Sequence, residues 1–580
     1  MGDDQNIRSA FQYIVPYWRR LTLVLAISVA STALSLYLPS LTGPLVDVAL
    51  LGRDAGALTN FVAVFIAVGA AGFVLSIVSG LQYTRVSAEI LFDMRRDLYE
   101  HLQRLSPRFY ATTRLGDIVS RLNNDIGEIQ RVAAETALAW VGNVLFLTGS
   151  LAILLWLDWR LCLVGLAPLP VSAWLLGVYR RRLERRVTAL RERSADLGSF
   201  LVETLPAMRT VVTSGAERRE VERFSRLNDA FIATLMGVQR VHYLSGGLPS
   251  QLIAIGTAAA FFYGGWRVIE GTLTLGTLAT VLAYLARVVA PMQALMGLYG
   301  ALATARVSWR RVAELLGTPA EVTDRPDAAP LATAAGAMEF DGVSLSYGRG
   351  ADVLDRVSFQ APAGRTTAVV GTSGSGKSTI ADLAVRLLDP DAGAVRLDGR
   401  DLRSVRLDDV RRLVRAVPQE PAIFHASIEE NVRYANPAAT DADVTRVLAA
   451  AGMSRFVAAL PEGSRTVVGE RGLALSAGER QRIAVARALA ASPAVLVLDE
   501  PSAALDPVSE RDVVQGVRDV MRGRTVIVIT HRLDVVRAAD HVVVLEGARV
   551  VQAGSPAALE AAGGAFATLF MAPARPSLTT

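Results

Sequence analysis

Six long apolar stretches occupy the first half of the chain and restrict its possible folds more than any other feature. Each is close to the ~20 residues that an α-helix needs to cross a bilayer. Within lipid, backbone N–H and C=O groups must bond inside the protein, so isolated stretches of this length are predicted to be helical. The predicted membrane helices cover residues 21–48, 58–83, 137–157, 161–179, 248–266 and 275–298.

The composition agrees with a protein that lies partly in lipid. Of its 580 residues, 51% are hydrophobic, and the mean hydropathy is +0.34, which is high for a soluble enzyme. A single cysteine, Cys162, excludes an intrachain disulfide framework and a multi-cysteine metal site. The start, Met1-Gly-Asp-Asp, lacks a basic region and a cleavage site, so no removable signal peptide is predicted. Residues 7–18 are predicted to form a short helix at the membrane interface.

The positions of the arginines predict the orientation in the membrane. Arginines concentrate in the second and fourth connections between the spans, whereas the first, third and fifth connections are short and carry few. The positive-inside rule therefore puts the second and fourth connections and both termini in the cytoplasm. Because the excess charge flanks the spans, no nucleic-acid partner is predicted despite a net charge of +5. The membrane helices are predicted to continue into the cytoplasm as stalks.

The second half of the chain predicts a different kind of domain. Residues 1–317 are assigned to the membrane domain, and residues 318–336, rich in Pro, Ala, Asp and Thr, predict a linker. Strands then alternate with helices, which predicts an α/β domain at 337–580 around a partly parallel sheet. The predicted strands are 337–346, 353–360, 366–370, 494–498, 525–529 and 541–545.

A glycine-rich stretch at 371–379 lies between a predicted strand and a predicted helix. This is the context of a P-loop, whose backbone N–H groups surround phosphate oxygens at the positive end of a helix. Lys377 is predicted to reach the β- and γ-phosphates, and Ser378 to bind Mg²⁺. Lys377 is the only lysine in the chain, which favours function because a compact ammonium fits between phosphates where a guanidinium does not. The loop comprises Gly371, Thr372, Ser373, Gly374, Ser375, Gly376, Lys377, Ser378 and Thr379.

Two further stretches carry residues suited to the same chemistry. The apolar strand at 494–498 is followed by Asp499, which suits Mg²⁺, and Glu500, which could polarise an attacking water; helix capping is the alternative. Ser476 and Gly478 open a predicted helix, either as a plain N-cap or as a second phosphate-binding edge. Two copies paired head to tail would then enclose ATP between the P-loop of one and Ser476 of the other.

In this order, the motifs resemble the ATP-binding cassette (ABC) superfamily, specifically exporter-type half-transporters. The resemblance covers nearly the whole chain and implies a six-helix membrane domain of the type I exporter fold followed by an α/β P-loop nucleotide-binding domain. It implies that Gln419 is the Q-loop residue that contacts Mg²⁺ and that Tyr347 stacks on adenine. It also implies that His531 contacts the γ-phosphate, although a lone histidine at a strand end is more often structural.

The resemblance also extends to the segments that link the two domains. Residues 105–121 resemble the first coupling segment of these exporters, residues 203–212 the second, and residues 468–472 the segment before the signature. Solvated cytoplasmic helices are the alternative for both coupling segments. The signature motif of the family corresponds to residues 475–479, where Ala477 and Glu479 differ from the usual sequence. Ala503, which follows the Walker B strand at 494–498, also differs.

The function implied by the resemblance is ATP hydrolysis coupled to export of an amphipathic substrate, such as a drug, lipid, peptide or natural product. The cofactors would be ATP and Mg²⁺, and the location a bacterial plasma membrane. The partner would be a second half-transporter, in a homodimer or a heterodimer. A lipid floppase or a siderophore importer on the same fold remains an alternative, and fold-level analogy does not choose the substrate. Six spans argue against a non-transporting ABC ATPase.

Arg287 is a charged residue inside the sixth span. Counted from Gly271 at the expected outer end, 287 − 271 = 16 helical steps correspond to ~24 Å, which is the inner half of the bilayer. A charge at that depth costs ~2.5–3.5 kcal/mol on insertion scales. Arg287 is therefore predicted to face a water-filled cavity and to attract an anionic or carbonyl-rich part of the substrate. The alternative is that its stem lies in lipid while its head reaches the inner interface.

Overall fold

The computed structural model describes residues 12–347, 352–469, 475–501 and 507–570. The chain divides into two compact units, and each has its own architecture. The first unit contains Met1–Tyr99 and Val119–Leu316, and the second contains Glu100–Ile118 and Gly317–Thr580.

Long helices form the described part of the first unit. They are α1 (Trp18–Tyr37), α2 (Ala55–Leu102), α3 (Ile126–Leu166), α4 (Leu169–Thr204), α5 (Glu217–Ile269) and α6 (Leu275–Leu316). Shorter helical segments are Val15–Tyr17, Leu38–Leu41, Thr42–Pro44, Leu45–Leu50, Arg121–Asp125 and Met208–Thr213. At 48 residues, α2 is about 72 Å long, which is more than twice the thickness of the hydrocarbon core. The second connection therefore continues the helix of the second span, as predicted.

Five helices in the described residues are long and apolar enough to cross a membrane. They are Gln12–Leu50, Ala55–Leu102, Ala139–Leu166, Glu217–Ile269 and Leu275–Leu295. Apart from a few terminal residues, they cover every predicted span except the fourth, of which only the first part is covered. The helix is interrupted within this fourth span. Helix α3 ends at Leu166, and the apolar part of α4, Leu169–Tyr179, is shorter than a bilayer requires. The interruption falls at Pro168 and Pro170, which have no backbone N–H to continue a helix.

The third and fourth predicted spans are separated at Asp158. Its backbone is extended, with φ −161° and ψ 106°, so α3 is broken there. The Asp158 carboxylate accepts hydrogen bonds from the backbone N–H groups of Arg160 and Leu161, both at 2.9 Å, and thereby caps the helical segment that follows. It also forms an ion pair with Arg267 near the end of α5. The side chains of this pair are only 12% and 17% exposed, so solvent screens the interaction weakly.

The second unit contains two sheets. Its described strands are β1 (Met338–Leu345), β2 (Leu354–Ala361), β3 (Thr366–Gly371), β4 (Ala392–Leu397), β5 (Arg400–Asp401), β6 (Val414–Val417), β7 (Val495–Asp499), β8 (Thr525–Ile529), β9 (His541–Glu546) and β10 (Arg549–Gly554). One sheet has the order β10-β9-β3-β8-β7-β6 and is parallel except for β10; the other has the antiparallel order β2-β1-β4-β5. The six strands predicted from the sequence are confirmed within two residues at each end.

The helices of the second unit surround these sheets. They are α7 (Lys377–Ala384), α8 (Leu407–Leu413), α9 (Ile428–Arg433), α10 (Asp441–Ala450), α11 (Ser454–Ala458), α12 (Ala477–Ala490), α13 (Pro507–Val520), α14 (Leu533–Arg537), α15 (Pro556–Ala562) and α16 (Ala565–Phe570). The same unit also contains the short helices Pro107–Thr112 and Leu115–Ser120 and the 3₁₀ turns Leu402–Ser404 and Gly463–Arg465.

The central strands of the six-stranded sheet, β3, β7 and β8, are buried on both faces. In β7, Leu496 and Leu498 pack into one apolar core, whereas Val495 and Val497 pack into another. Successive residues of β3 and β8 alternate between the same two cores. A parallel strand that is covered on both faces needs a continuous apolar run, which is why these strands were recognisable in the sequence.

The segment predicted as a linker, residues 318–336, has no helix or strand, but it is bound to the second unit. The carboxylate of Asp398 accepts hydrogen bonds from the N–H groups of Ala335, Gly336 and Ala337. Asp409 accepts one from Leu331 at 3.1 Å. The last part of the segment is therefore held by two carboxylates, that of Asp398 directly after β4 and that of Asp409 within α8.

We predict that Asp158→Asn lowers the stability of the first unit more than Asp54→Asn does. Asp54 caps α2 in the same way, through the N–H groups of Gly56 and Ala57, but is exposed, and no ion pair is described for it. Asparagine caps as well as aspartate, so Asp54→Asn should cost at most about 0.5 kcal/mol. Asp158→Asn also loses a charged hydrogen bond, at a cost of about 1.5–3 kcal/mol. Thermal unfolding of the full chain in detergent measures both; equal midpoints would contradict the role of the ion pair.

Candidate functional site

The predicted site residues of the second unit lie at one edge of the six-stranded sheet. Because β3, β6, β7 and β8 run parallel, their carboxyl ends point to the same edge. The P-loop follows β3, Asp499 ends β7, Gln419 lies two residues after β6, and His531 lies two residues after β8. In sheets of this kind, ligands bind outside the carboxyl ends of the strands.

The P-loop turns tightly between β3 and α7. Gly374 and Gly376 have positive φ angles of 80° and 91°, which side-chain-bearing residues rarely adopt. A Cβ on Gly376 would lie 2.6 Å from both the Val353 carbonyl oxygen and the Leu354 side chain. The Lys377 ammonium donates to the carbonyl oxygens of Gly371 at 3.0 Å and Thr372 at 2.8 Å, so it lies across the loop. Burial lowers the pKa of Lys377, and the negative charges of Glu500 and Asp499 oppose this shift by raising it.

Oxygen ligands gather beside this loop. The Ser378 hydroxyl lies near the carboxylate of Asp499, which is only 6% exposed. Both residues and Gln419 line a cavity of about 560 Å³. Mg²⁺ takes one or two protein oxygens and completes its shell with phosphate and water, so this donor set fits the predicted cation. Burial raises the pKa of Asp499 and outweighs the opposite effect of the nearby Ser378 hydroxyl.

Asp382 is a residue of this cavity that the sequence interpretation missed. It lies four residues after Ser378 on α7 and lines the cavity with Asp499. Burial and then the charge of Asp499 raise the pKa of Asp382 to about 6. Its i, i+4 spacing from Ser378, which puts both side chains on one face of a helix, is the signal that could have identified it.

Glu500 occupies a strained position directly after β7. Its φ is +46°, in the left-handed region, and its N–H donates to the Ile529 carbonyl at 3.0 Å. One carboxylate oxygen accepts a 2.8 Å hydrogen bond from the Gln419 amide. The other lies 3.6 Å from Nδ1 of His531, too far for a hydrogen bond. The structure therefore brings Glu500, Gln419 and His531 together around one carboxylate.

Tyr347 lies beside the P-loop and against the first predicted coupling segment. Its hydroxyl is 3.5 Å from that of Thr379. The guanidinium of Arg108 lies 5.6 Å from the centre of the Tyr347 ring and 3.5 Å from the carboxylate of Asp391. Asp391 also accepts a 2.7 Å hydrogen bond from the N–H of Ser346, next to Tyr347. No pattern in the sequence links Arg108 to Tyr347, so this contact was not predicted.

Ser476 and Gly478 lie at a helix N-terminus. The Ser476 hydroxyl accepts from the Glu479 N–H at 3.2 Å, and the Glu479 carboxylate accepts from the Ser476 N–H at 2.7 Å. This reciprocal pair is a capping box at the start of α12. Within the described chain, no hydrogen bond joins Ser476 to the P-loop. Ser476 is exposed, and Gly478 is buried.

Some predicted positions belong elsewhere. Glu470, Arg471 and Gly472 of the segment before the signature lie outside the described residues, and so does the 502–506 loop with Ala503. Arg287 belongs to the first unit, where it is exposed and lines a cavity of about 720 Å³ between α1, α2, α3 and α6.

Comparison with known protein families assigns both halves of the chain. The family described as ABC transporter transmembrane region matches residues 21–292, and the family described as ABC transporter matches residues 354–503. An ABC transporter ATP-binding protein of Bacillus subtilis is 31% identical over 562 residues, or 97% of this chain and 93% of the relative. The chain belongs to the ABC transporter family.

Other ABC proteins match along nearly the whole chain. The ATP-dependent lipid A-core flippase of Desulfotalea psychrophila is 29% identical over 98% of this chain and 100% of its own length. A solved structure of a bacterial Atm1-family ABC exporter with ATP bound matches with a TM-score of 0.82 at 28% identity, covering 97% of this chain and 99% of that one. The predicted fold class, a helical membrane domain followed by an α/β nucleotide-binding domain, is thus confirmed for this ABC transporter.

We predict that Gly376→Ala destabilises the second unit more than Gly374→Ala. Both substitutions place alanine at a positive φ, at a cost of about 1–2 kcal/mol each. The new Cβ at 376 also overlaps Val353 and Leu354, which adds about 1–3 kcal/mol, whereas the space at 374 is open. Thermal unfolding of the full chain without nucleotide should show the difference. If both variants unfold at the same temperature, the close contact at Gly376 does not limit the loop.

Proposed function

We infer that this ABC transporter hydrolyses ATP to export an amphipathic substrate across a bacterial plasma membrane, as a dimer of half-transporters. The observation that carries the inference is the Glu500 carboxylate, which is held by Gln419 and faces His531 at the same sheet edge as the P-loop. Family membership and the exporter-type neighbour support it.

Each residue of the edge has a chemical task in this proposal. The P-loop N–H groups and Lys377 bind the phosphates of ATP. Ser378, Asp499 and Gln419 would hold Mg²⁺, and the bound ion would neutralise part of the phosphate charge. Glu500 is the general base that takes a proton from the attacking water, and Gln419 orients its carboxylate. His531 contacts the γ-phosphate, and Tyr347 stacks on adenine.

The second edge of the ATP site comes from a partner chain in this proposal. Ser476 and Gly478 lie at the N-terminus of α12, where free N–H groups and the helix dipole favour phosphate. The exposure of Ser476 supports such a role. Since one chain carries both edges, a homodimer is proposed, with a heterodimer as the alternative. ATP would favour the closed dimer, because it contacts both edges only in that state. The coupling segments would transmit this closure to the membrane helices.

A lipid floppase is the second candidate, because a full-length relative is named a lipid A-core flippase. The direction of transport, export or import, is measured with vesicles in which the orientation of the protein is known. In either case the membrane domain is proposed to be multi-pass, with the nucleotide-binding domain in the cytoplasm.

The first prediction of this function concerns the base. Glu500→Gln should retain ATP binding, since the amide can still accept from Gln419, but it cannot take a proton. Phosphate release should fall by about 10²-fold or more. Lys377→Ala should instead weaken ATP binding itself, and Glu546→Gln, an exposed acid at the end of β9, should change neither. Near-normal phosphate release from Glu500→Gln would show that the base lies elsewhere.

A second prediction concerns the contact between Arg108 and Tyr347. Arg108→Ala removes a cation–π contact of about 0.5–1 kcal/mol and leaves the aromatic ring less constrained. ATP affinity should therefore fall by roughly two- to fivefold. Arg104→Ala, at an exposed position four residues earlier, is the matched control and should bind ATP normally. Nucleotide titration of both variants in lipid nanodiscs measures the effect; unchanged affinity in Arg108→Ala would exclude it.

A further inference from the structure

The cavity of about 720 Å³ in the first unit is unusually polar for a membrane domain. Of its 17 lining residues, eight carry hydroxyl groups, and they come from α1 and α2. Asn143 of α3 and Arg287 of α6 add an amide and a guanidinium. Polar side chains within membrane helices carry an energetic cost and usually face the protein interior or a water-filled cavity.

Half of these hydroxyls are already satisfied by backbone carbonyls. Ser31 donates to Gly72, Thr32 to Ser28, Ser79 to Val24 and Thr84 to Gly80, at 2.9–3.2 Å. These four need no ligand, since such bonds occur in many membrane helices.

A second group of polar side chains has unused donors. In the described part of the chain, no hydrogen bond is made by the side chains of Ser28, Ser35, Ser76 or Asn143, all of which line the cavity. Arg287 makes one long hydrogen bond, from Nη1 to the Ser35 carbonyl at 3.4 Å, and among the described residues its other N–H groups have no acceptor. Together they form a polar surface on which several N–H and O–H donors have no acceptor among the described residues.

The charge of this surface has one sign. Arg287 is the only formally charged residue that lines the cavity, and none of the carboxylates in the described residues forms an ion pair with it. A guanidinium without a carboxylate partner attracts anions. Because a guanidinium presents its N–H donors in a fork, it matches the oxygens of a carboxylate or a phosphate.

An apolar groove adjoins the cavity at Ala286. The groove, of about 630 Å³, lies between α5 and α6 and is lined by Ile253, Phe261, Leu282 and small residues. Ala286 lines both spaces and directly precedes Arg287. The donors and the apolar surface therefore meet at one small residue, where a molecule can contact both.

We propose that the substrate of this transporter is an anionic amphiphile. Arg287, with Ser28, Ser35, Ser76 and Asn143, binds its phosphate or carboxylate head group, and the groove between α5 and α6 binds its hydrocarbon chain. This assignment rests on the proposed export function and narrows its substrate class. It also selects the cavity over the lipid interface as the position of the Arg287 head.

The test compares probes that share a twelve-carbon chain and differ only in the head group. Dodecyl phosphate, dodecanoate, dodecyl maltoside and dodecyltrimethylammonium are bound to the full chain in phosphatidylcholine nanodiscs, with binding to empty nanodiscs subtracted. An anionic probe should bind at least about tenfold more tightly than the cationic one, as expected for a charged hydrogen bond. The tighter of the two anionic probes identifies phosphate or carboxylate as the head group.

Variants test whether the preference for anionic probes comes from the cavity or from a general effect of substitution. Arg287→Ala and Arg287→Gln should reduce the anion preference to less than about threefold, and Arg287→Lys should retain more of it. Arg306→Ala, an exposed arginine further along α6, is the control and should keep the full preference. Phe261→Ser should weaken binding of every twelve-carbon probe without changing the preference between head groups.

Two results would overturn the proposal. One is an unchanged anion preference in both Arg287→Ala and Arg287→Gln, with normal ATP binding showing that the variants are folded. The other is a cationic probe that binds as tightly as the anionic ones. Because binding is measured without ATP, it does not depend on hydrolysis. A chain that binds the anion but neither hydrolyses ATP nor moves the probe would instead refute the proposed function.

Discussion

The parallel register of four strands is the constraint on which the candidate ATP site depends. Ile529 of β8 is paired with Val369 of β3 on one side and with Asp499 of β7 on the other. This register brings the residues that follow each strand to one edge. A slip of one residue would turn the Asp499 side chain to the opposite face of the sheet, away from Ser378. The apolar cores on both faces oppose such a slip because they require the existing alternation of side chains.

The first unit meets a different requirement, since polar groups within a bilayer must find partners inside the protein. The hydroxyls of Ser31, Thr32, Ser79 and Thr84 do so by bonding a carbonyl on their own or a neighbouring helix. Asp158 combines capping of a helical segment with an ion pair to Arg267. Against this background Arg287 is exceptional, because a long bond to one carbonyl is its only described hydrogen bond. An ionisable side chain within a membrane span is a candidate functional group for this reason.

The sequence predicted those features that depend on local order along the chain. Apolar runs identified the buried strands, and the residues after the 494–498 run supplied Asp499 and Glu500 as candidates. His531 was named only from the resemblance to the ABC superfamily. Pro168 and Pro170 also carried a signal for the division of the fourth span, because proline has no backbone N–H to continue a helix. The prediction of that span used hydropathy alone. Contacts such as Arg108 with Tyr347, or a cavity built from four helices, join residues that are far apart in the chain. No local pattern encodes them, and they emerged only from the fold.

The solitary lysine gives this chain a practical property. Lys377 is the only side-chain primary amine in the protein, and its burial lowers its pKa, so a larger share of it is uncharged and nucleophilic at mildly alkaline pH. An amine-directed reagent therefore has two targets, this side chain and the amino terminus. Occupation of the P-loop would shield one and leave the other as an internal reference. Chemical labelling can consequently report the fraction of loaded sites in an unmodified transporter, without a fluorescent nucleotide or an engineered probe.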